Sequence, residues 1–524
     1  TPKLDIDLFE LTKFSLRRRG QYVIVGEVRG KEVQSLVQAA TTGQGSMCLE
    51  YSDRIIVKEG DDIRLKKIGE VVEELINSGS LRSIEVLSFS LSEMKPVWRP
   101  IRRVIKVTTN KWIIVKTVEG RKLKLTPDHI VPVVLHGKVM LKKASEIVPG
   151  DVILVVRTLP RSSSIINEWH ILSYAKRLIP ESKLYVDIRE YLSNTPKVIE
   201  KLRRVHKYAS DWKDSFAPYS KVKDIVPDNA IVLIKYSAKA RHAIPVRVKL
   251  SYELGYIIGM YLAEGTTGES EVIYYLSKNE YNRMKRLCKY IREVFKVKPK
   301  VHMNPTSQRI VIPSKLLAIV FKSLFGNKSE EKTLPDWMVF KAPKEFLKGL
   351  IRGFWEGDGH VRKHGANTIN TIMAVAEISS EELAYRLHYI LKILSIDTSL
   401  KEVKRKGYKH SHYILRVHGG ESLTKFTEVI NIEKPRTSYT KAELLTGIRL
   451  NSDNYLVDVV EHVEEMLLSK EDRAYDIEVE DTHTFIHNAS VITHNCTFHA
   501  NTVEEVFMRM TSPPLNVKPA FLTL

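Results

Sequence analysis

The chain has 524 residues and a mass of 60.1 kDa, with 43% hydrophobic and 27% charged residues, which excludes collagenous, low-complexity and wholly disordered proteins and leaves room for about three or four domains. No run approaches about eighteen consecutive apolar residues, so no membrane-spanning helix is expected. Lysine and arginine number 82 against 62 acids, a net charge of +20 with a pI near 9.5, which points to a polyanionic partner, while three cysteines (Cys48, Cys288, Cys496) argue for a reducing, cytoplasmic setting rather than a disulfide framework.

The opening stretch, from Thr1 through Asp5, Asp7 and Glu10 to Phe14, fits neither an initiator methionine nor a signal peptide, so a longer parent protein is expected. Residues 21–30, QYVIVGEVRG, predict a buried parallel strand that delivers Glu27 to its C-terminal edge, with Arg29 just beyond. GEVRG followed by AATTGQGSM resembles the Walker B region of the type II/IV secretion ATPases, whose next motif carries a glycine-rich turn and then a histidine. Here the turn stops at Met47. The remainder stands at 496–500, CTFHA, and joining Met47 to Cys496 restores TTGQGSMCTFHANTVEEV with His499 in place. The resemblance implies that 1–47 and 496–524 are flanking fragments of an α/β P-loop ATPase that is homo-oligomeric when mature. No GxxxxGK[ST] occurs, so these flanks cannot hold nucleotide alone. What separates them is far longer than an ordinary loop.

The junctions carry the groups that a peptide-bond rearrangement needs. Cys48 opens the insert, TPDH stands at Thr126–His129, YDIEVEDTHTFIHN begins at Tyr475, and His494 and Asn495 precede Cys496. Together these resemble an intein. The resemblance implies a cofactor-free reaction in which Cys48 attacks the Met47 carbonyl, Thr126 and His129 hold and protonate the scissile amide, Cys496 takes the acyl group with Asp476 tuning its thiol, and Asn495 cyclises with help from His494 and His483. His487 and Asn488 form a second His-Asn pair with no nucleophile after it and are read as structural. Short β-rich runs at Ile101–Val107, Trp112–Val118, Lys122–Leu125, Ile130–Leu135 and Val152–Val156 are separated by turn signals. With last strands at Leu456–His462 and Tyr475–Val479, they are similar to the all-β horseshoe of the Hedgehog/intein fold, which implies a splicing domain over 48–157 and 440–495 that works as a monomer.

Inside the insert a pattern repeats. Leu254–Gly265, LGYIIGMYLAEG, aligns with Lys348–Gly359, KGLIRGFWEGDG: glycines 255 and 259 match 349 and 353, and Glu264 matches Asp358. Each copy predicts an apolar helix with a bare face, ending in an acid that opposes the helix dipole. Two such acids side by side repel unless a cation sits between them. The pattern resembles the LAGLIDADG homing endonucleases, with the motif twice in one chain. That implies an α+β domain over 251–439 built as pseudo-two-fold αββαββα repeats, Glu264 and Asp358 as Mg2+ ligands, Lys332 near the scissile phosphate, and double-stranded DNA at the vacant host-gene site as the partner. The basic segments after each helix nominate Lys298, Lys300 and Arg309 in one copy and Lys404, Arg405, Lys406 and Lys409 in the other as phosphate contacts. Residues 158–250, with helical patches such as VIEKLRRVHKYASDW, fit either a helical DNA-reading module or a structural linker. Two rivals stand beside this reading: a splicing domain around a degenerate, DNA-binding nuclease, and a working ATPase with an inert insertion.

Overall fold

A computed structural model describes residues 48–78, 84–189, 191, 216–364, 371–404, 411–417, 420–430, 452, 454–488 and 490–495. The chain divides into an outer unit, Thr1–Arg157 with Lys441–Leu524, and an inner unit, Thr158–Thr440. Among the described residues no helix is long and apolar enough to cross a membrane.

The outer unit is built on strands β1 (Leu49–Glu50), β2 (Arg54–Glu59), β3 (Asp62–Lys67), β4 (Ile84–Ser90), β5 (Lys95–Thr117), β6 (Lys122–Leu125), β7 (Ile130–Leu135), β8 (Lys138–Lys143) and β9 (Val152–Val156). The far end of the chain adds β18 (Tyr455–Val479), β19 (Thr484–His487) and β20 (Val491–His494). They form one twelve-stranded sheet in the order β18-β1-β6-β5-β4-β2-β19-β20-β9-β7-β8, with β3 on β2 and further pairings of β18 with β5 and β9 and of β20 with β7. Alternation sets the buried face: in β3, Ile63 and Leu65 are buried while Asp62 and Arg64 are exposed. Helix α1 (Ile68–Ser78) turns Ile68, Val71, Val72 and Leu75 into the same core as Leu49, Leu125 and Phe485, the spacing of one apolar helix face.

Strands β6, β7 and β9 coincide with three of the runs read from the sequence. The others merge. Ile101–Val107 and all of Trp112–Val118 but its last residue are parts of the 23-residue β5, and Leu456–His462 and Tyr475–Val479 parts of the 25-residue β18. β5 and β18 pair from Val460↔Thr117 to Val479↔Ile101, and the ladder shifts between Leu467 and Asp472. Each strand supplies the other's backbone partners on both sides of this shift, and residues 468–471 have no register partner in the ladder. A bulge of this kind bends a ribbon without terminating it.

In the inner unit, the described part of 158–250 is mixed rather than helical. Tyr185–Asp187, Phe216–Pro218, Leu233–Lys235 and Ile244–Pro245 form a four-stranded sheet, and Glu168–His170 pairs with Arg247–Lys249. The segment VIEKLRRVHKYASDW lies outside the described residues. Two successive segments then share one plan. The first runs α2 (Tyr252–Glu264), β10 (Gly265–Thr267), β11 (Val272–Ser277), α3 (Tyr281–Phe295), β12 (Lys300–Met303), β13 (Ser307–Ile312) and α4 (Lys315–Phe325). The second runs α5 (Lys344–Asp358), β14 (Gly359–His364), β15 (Thr371–Ile378), α6 (Glu381–Ile393), β16 (Thr398–Val403), β17 (His412–Val417) and α7 (Gly420–Ile430). Their sheets have matching orders, β10-β11-β13-β12 and β14-β15-β17-β16.

Helices α2 and α5 meet backbone to backbone. A Cβ on Gly255 would stand 2.1 Å from the Phe346 carbonyl oxygen, and one on Gly259 2.1 Å from that of Leu350. Reciprocally, Gly349 and Gly353 lie against the carbonyl oxygens of Tyr252 (2.0 Å) and Tyr256 (2.3 Å). The contacts advance in step along both helices, so α2 and α5 run parallel and end together.

Candidate functional site

In the outer unit the Thr126–His129 turn, between β6 and β7, touches both ends of the insert. The Cys48 N–H donates to Thr126 Oγ1 at 2.7 Å, and the Thr126 N–H donates back to the Cys48 carbonyl oxygen at 3.0 Å. The turn closes through the His129 N–H to the Thr126 carbonyl, 3.0 Å, and the His129 carbonyl accepts from Ala144 N–H at 2.7 Å. His129 Nε2 is hydrogen-bonded to Thr493 Oγ1. Thr493 lies on β20, two residues before Asn495, and His494 is in register with Ile130 of β7. Cys48, Thr126, His129, Thr493 and Asn495 are all at most 2% exposed. The Cys48 side chain packs with Trp112 and Ala474, flanked by Met466 and Leu468. Trp112 Nε1 in turn donates to Asp472 Oδ2, 3.3 Å, at the far edge of the β18 bulge.

Asn495 is held by the preceding turn. Its N–H donates to the His483 carbonyl at 2.8 Å, and with its amide turned to match its surroundings, the side-chain nitrogen donates to the same carbonyl (2.6 Å) while the side-chain oxygen accepts from Val479 N–H (2.7 Å). His483 has a left-handed backbone, φ +50°, as does Asp481 at +60°. Non-glycine residues rarely adopt this conformation, and here it aims the carbonyl at Asn495. The His483 and His494 rings stack at 6.1 Å. Burial, with His483 alongside, pulls the His494 imidazole down to about 4, so it is neutral at ordinary pH and offers an N–H rather than a standing cation. Asp476 is buried on β18, next to Tyr475, the register partner of Leu49, and its Oδ1 accepts from Ile477 N–H at 2.8 Å.

In the inner unit the two acids share the closed end of the α2–α5 pair. A Cβ on Gly357 would stand 3.1 Å from Glu264 Cγ, which brings the residue before Asp358 against the Glu264 side chain. Both carboxyls are pushed up to about 6, Glu264 by burial and by the Asp358 charge, Asp358 by burial against a lowering pull from Lys332. Asp358 keeps an exposed face, so its desolvation is one-sided. Gly265 and Gly359 have extended φ values of −99° and −90°. Their smallness matters for another reason, since a Cβ on Gly359 would meet Trp355 Cδ1 at 2.1 Å. Lys332 is 3% exposed, donates to the carbonyls of Tyr261 (2.9 Å) and Gly265 (2.7 Å), and lies 3.5 Å over the Tyr261 ring. It caps the C-terminus of α2. Burial lowers its pKa to about 7, with Asp358 opposing.

Lys298, Lys300 and Lys404 are exposed, and Arg309 pairs with Glu271. Arg309 stands in register with Tyr275 on one side and His302 on the other, both exposed, so one face of the β10–β13 sheet carries cations and an aromatic together. Arg405, Lys406, Lys409, Cys496, His499, Glu27 and Arg29 lie outside the described residues. The sequence reading missed Thr493 and Trp112. A threonine before His-Asn and a tryptophan in a β run carry no motif, and only the register of β20 and β5 reveals their neighbours.

The family model of the intein splicing domain matches residues 55–495. The chain belongs to the intein splicing family. As an intein it is 28% identical over 397 residues to the DNA-directed RNA polymerase subunit Rpo1C of Methanocaldococcus jannaschii, covering 71% of this chain and 38% of that protein. It is 23% identical to the ATP-dependent DNA helicase Hel308 of Thermococcus kodakarensis, covering 87% and 36%. It thus spans little more than a third of either relative. Among solved structures it is similar to an intein from a hyperthermophile (28% identity, 21% of this chain and 73% of that one, TM-score 0.20) and to mesophilic variants of the homing endonuclease I-DmoI (12% identity, 36% and 99%, TM-score 0.26).

Proposed function

We propose that the outer unit carries a self-splicing site that excises Cys48–Asn495 from a host protein and joins Met47 to Cys496. The observation that carries this is the Thr126–His129 turn, bonded to Cys48 on one side and to the Asn495 strand on the other. In the first step the Cys48 thiol attacks the Met47 carbonyl carbon, the Met47–Cys48 C–N bond breaks, and His129 gives a proton to the departing Cys48 nitrogen, which Thr126 orients. The Cys496 thiol then displaces Cys48 from the thioester, with Asp476 as its tuning acid. Asn495 Nδ2 attacks its own carbonyl, the Asn495–Cys496 bond breaks to leave a succinimide, and His494 and His483 polarise that carbonyl. The freed Cys496 amine takes the acyl group from its own sulfur. No oxidant or cofactor enters. In an Asn495→Ala variant, an added thiol should cleave before Cys48 while the C-terminal bond stays intact; normal splicing by that variant would refute the assignment.

The inner unit is read as a LAGLIDADG homing endonuclease with pseudo-two-fold halves, supported by the paired Glu264 and Asp358 carboxyls. Among the described residues no cluster of three or more such ligands occurs. Two hard carboxylates, both raised by burial and Glu264 also by the Asp358 charge, nevertheless fit Mg2+, which takes one or two protein carboxylates and completes its shell with phosphate and water. The ion, when bound, supplies charge stabilisation and an activated water at a phosphodiester. Lys332 holds the α2 end in place, and Lys298, Lys300, Arg309, Lys404, Arg405, Lys406 and Lys409 bind phosphates without reading sequence. The host is read as a secretion ATPase, with Glu27, Arg29 and His499 in its divided site. Plasmids carrying the vacant TTGQGSMCTFHA junction should be linearised with Mg2+; binding without cutting would favour the degenerate nuclease.

A further inference from the structure

We infer that Thr493 is a positioning residue for the first splicing step, fixing the ring of His129 through its hydroxyl; this rests on the splicing reading above. Thr493 is 1% exposed on β20, and its Oγ1 is hydrogen-bonded to His129 Nε2 and donates to the Ile130 carbonyl at 3.4 Å. A carbonyl can only accept, so a hydroxyl proton given to Ile130 leaves the Thr493 lone pair for a proton on His129 Nε2, the tautomer this inference assigns. That choice leaves Nδ1 as the nitrogen that takes up and releases the catalytic proton. Both flanks of the ring are stiff. The His129 backbone is bonded on each side, to Thr126 and Ala144, and Thr493 is β-branched in a paired strand, which restricts χ1.

The hydroxyl also makes the first junction sense the last. Thr493 stands two residues before Asn495, and the register of His494 with Ile130 sets how far its side chain reaches toward His129. The acid of step one is therefore fully oriented only while the C-terminal strand is docked.

The test measures thiol-induced cleavage before Cys48 in the full chain carrying Asn495→Ala, across pH. Thr493→Val removes the hydroxyl at nearly constant volume and should slow cleavage at least tenfold and displace its pH profile, whereas Thr493→Ser should stay within about threefold of the parent, since one hydrogen bond to an ionisable group has roughly this worth. In a His129→Ala background, Thr493→Val should cost nothing further, because its effect runs through that ring. Nitrogen NMR of the parent should find the His129 proton on Nε2. The inference is overturned if Thr493→Val cleaves at the parent rate, if Thr493→Ser is as slow as valine, or if valine costs as much without His129. The His129→Ala comparison keeps these outcomes separate from a folding defect. A parent that never cleaves would overturn the splicing reading and this inference with it.

Discussion

At the Cys48 amide, one hydroxyl does what a strand neighbour would otherwise do: Thr126 Oγ1 accepts from the nitrogen that must leave. Thr126→Val should therefore slow thiol-induced cleavage by about tenfold while leaving the fold cooperative, the cost of one buried hydrogen bond at the reacting group; an unchanged rate would make the contact merely structural. A second buried cluster tests the electrostatics of the same unit. His487 Nδ1 lies 4.0 Å from Asp53 Oδ2, and the Asn488 side chain donates to the other Asp53 oxygen. Burial raises Asp53 to about 7 and lowers His487 to about 3, so between those two values a protonated acid faces a neutral imidazole. For Asp53, with its folded pKa above its unfolded one, the favourable contribution is complete below the unfolded value of 3.8 and is lost as pH rises through about 7. For His487 the sign is opposite, with stability present above 6.5 and lost as pH falls toward about 3. Asp53→Asn removes only the first window. Thermal melts should show the variant matching the parent near about pH 4 and gaining on it near about pH 8; a parallel offset at both would contradict the protonated-acid assignment. Asp53 stands in no motif, and His487, read from its motif only as a structural His-Asn pair, gave no sign of it, because their meeting depends on the pairing of β2 with β19.

Helices show where patterning alone suffices. The glycine repeats of α2 and α5 were legible because a bare face at i and i+4 has one physical use, close helix contact, and carbonyl oxygens do lie at 2.0–2.3 Å from where Cβ atoms would be. Gly353→Ala should lower the inner unit's stability by about 1–3 kcal/mol through overpacking, outweighing the gain of up to about 1 kcal/mol in helix propensity. Calorimetry that found the variant as stable as the parent would mean the helices can part freely. The paired acids belong to the same scale. Glu264→Gln or Asp358→Asn should each abolish Mg2+-dependent plasmid cutting while DNA binding survives and weakens steeply with salt. Strands were legible only in part. β6, β7 and β9 are short, bounded by turns and self-contained, whereas β5 and β18 cross polar stretches that only their mutual pairing keeps extended, with the bulge between Leu467 and Asp472 hiding their continuity.

For the whole molecule, the proposed function assigns different groups to the two units: thiols, histidines and an asparagine in one, paired carboxyls in the other. Substitutions at Glu264 or Asp358 should thus leave excision unchanged, and Cys48→Ala should leave plasmid cutting unchanged. The splicing reading was legible because its motifs sit at the two ends of a long insert; the register that brings those ends to one turn was not, since it follows from pairings between residues hundreds of positions apart. The most direct measurement is intact-mass and peptide mass spectrometry of the purified chain after expression without added cofactor. A Cys48–Asn495 fragment ending in succinimide or its hydrolysis product, together with a ligated peptide spanning Met47–Cys496, is the expected result. An unprocessed chain, or ends cleaved but never joined, under conditions where the outer unit is folded would contradict the account.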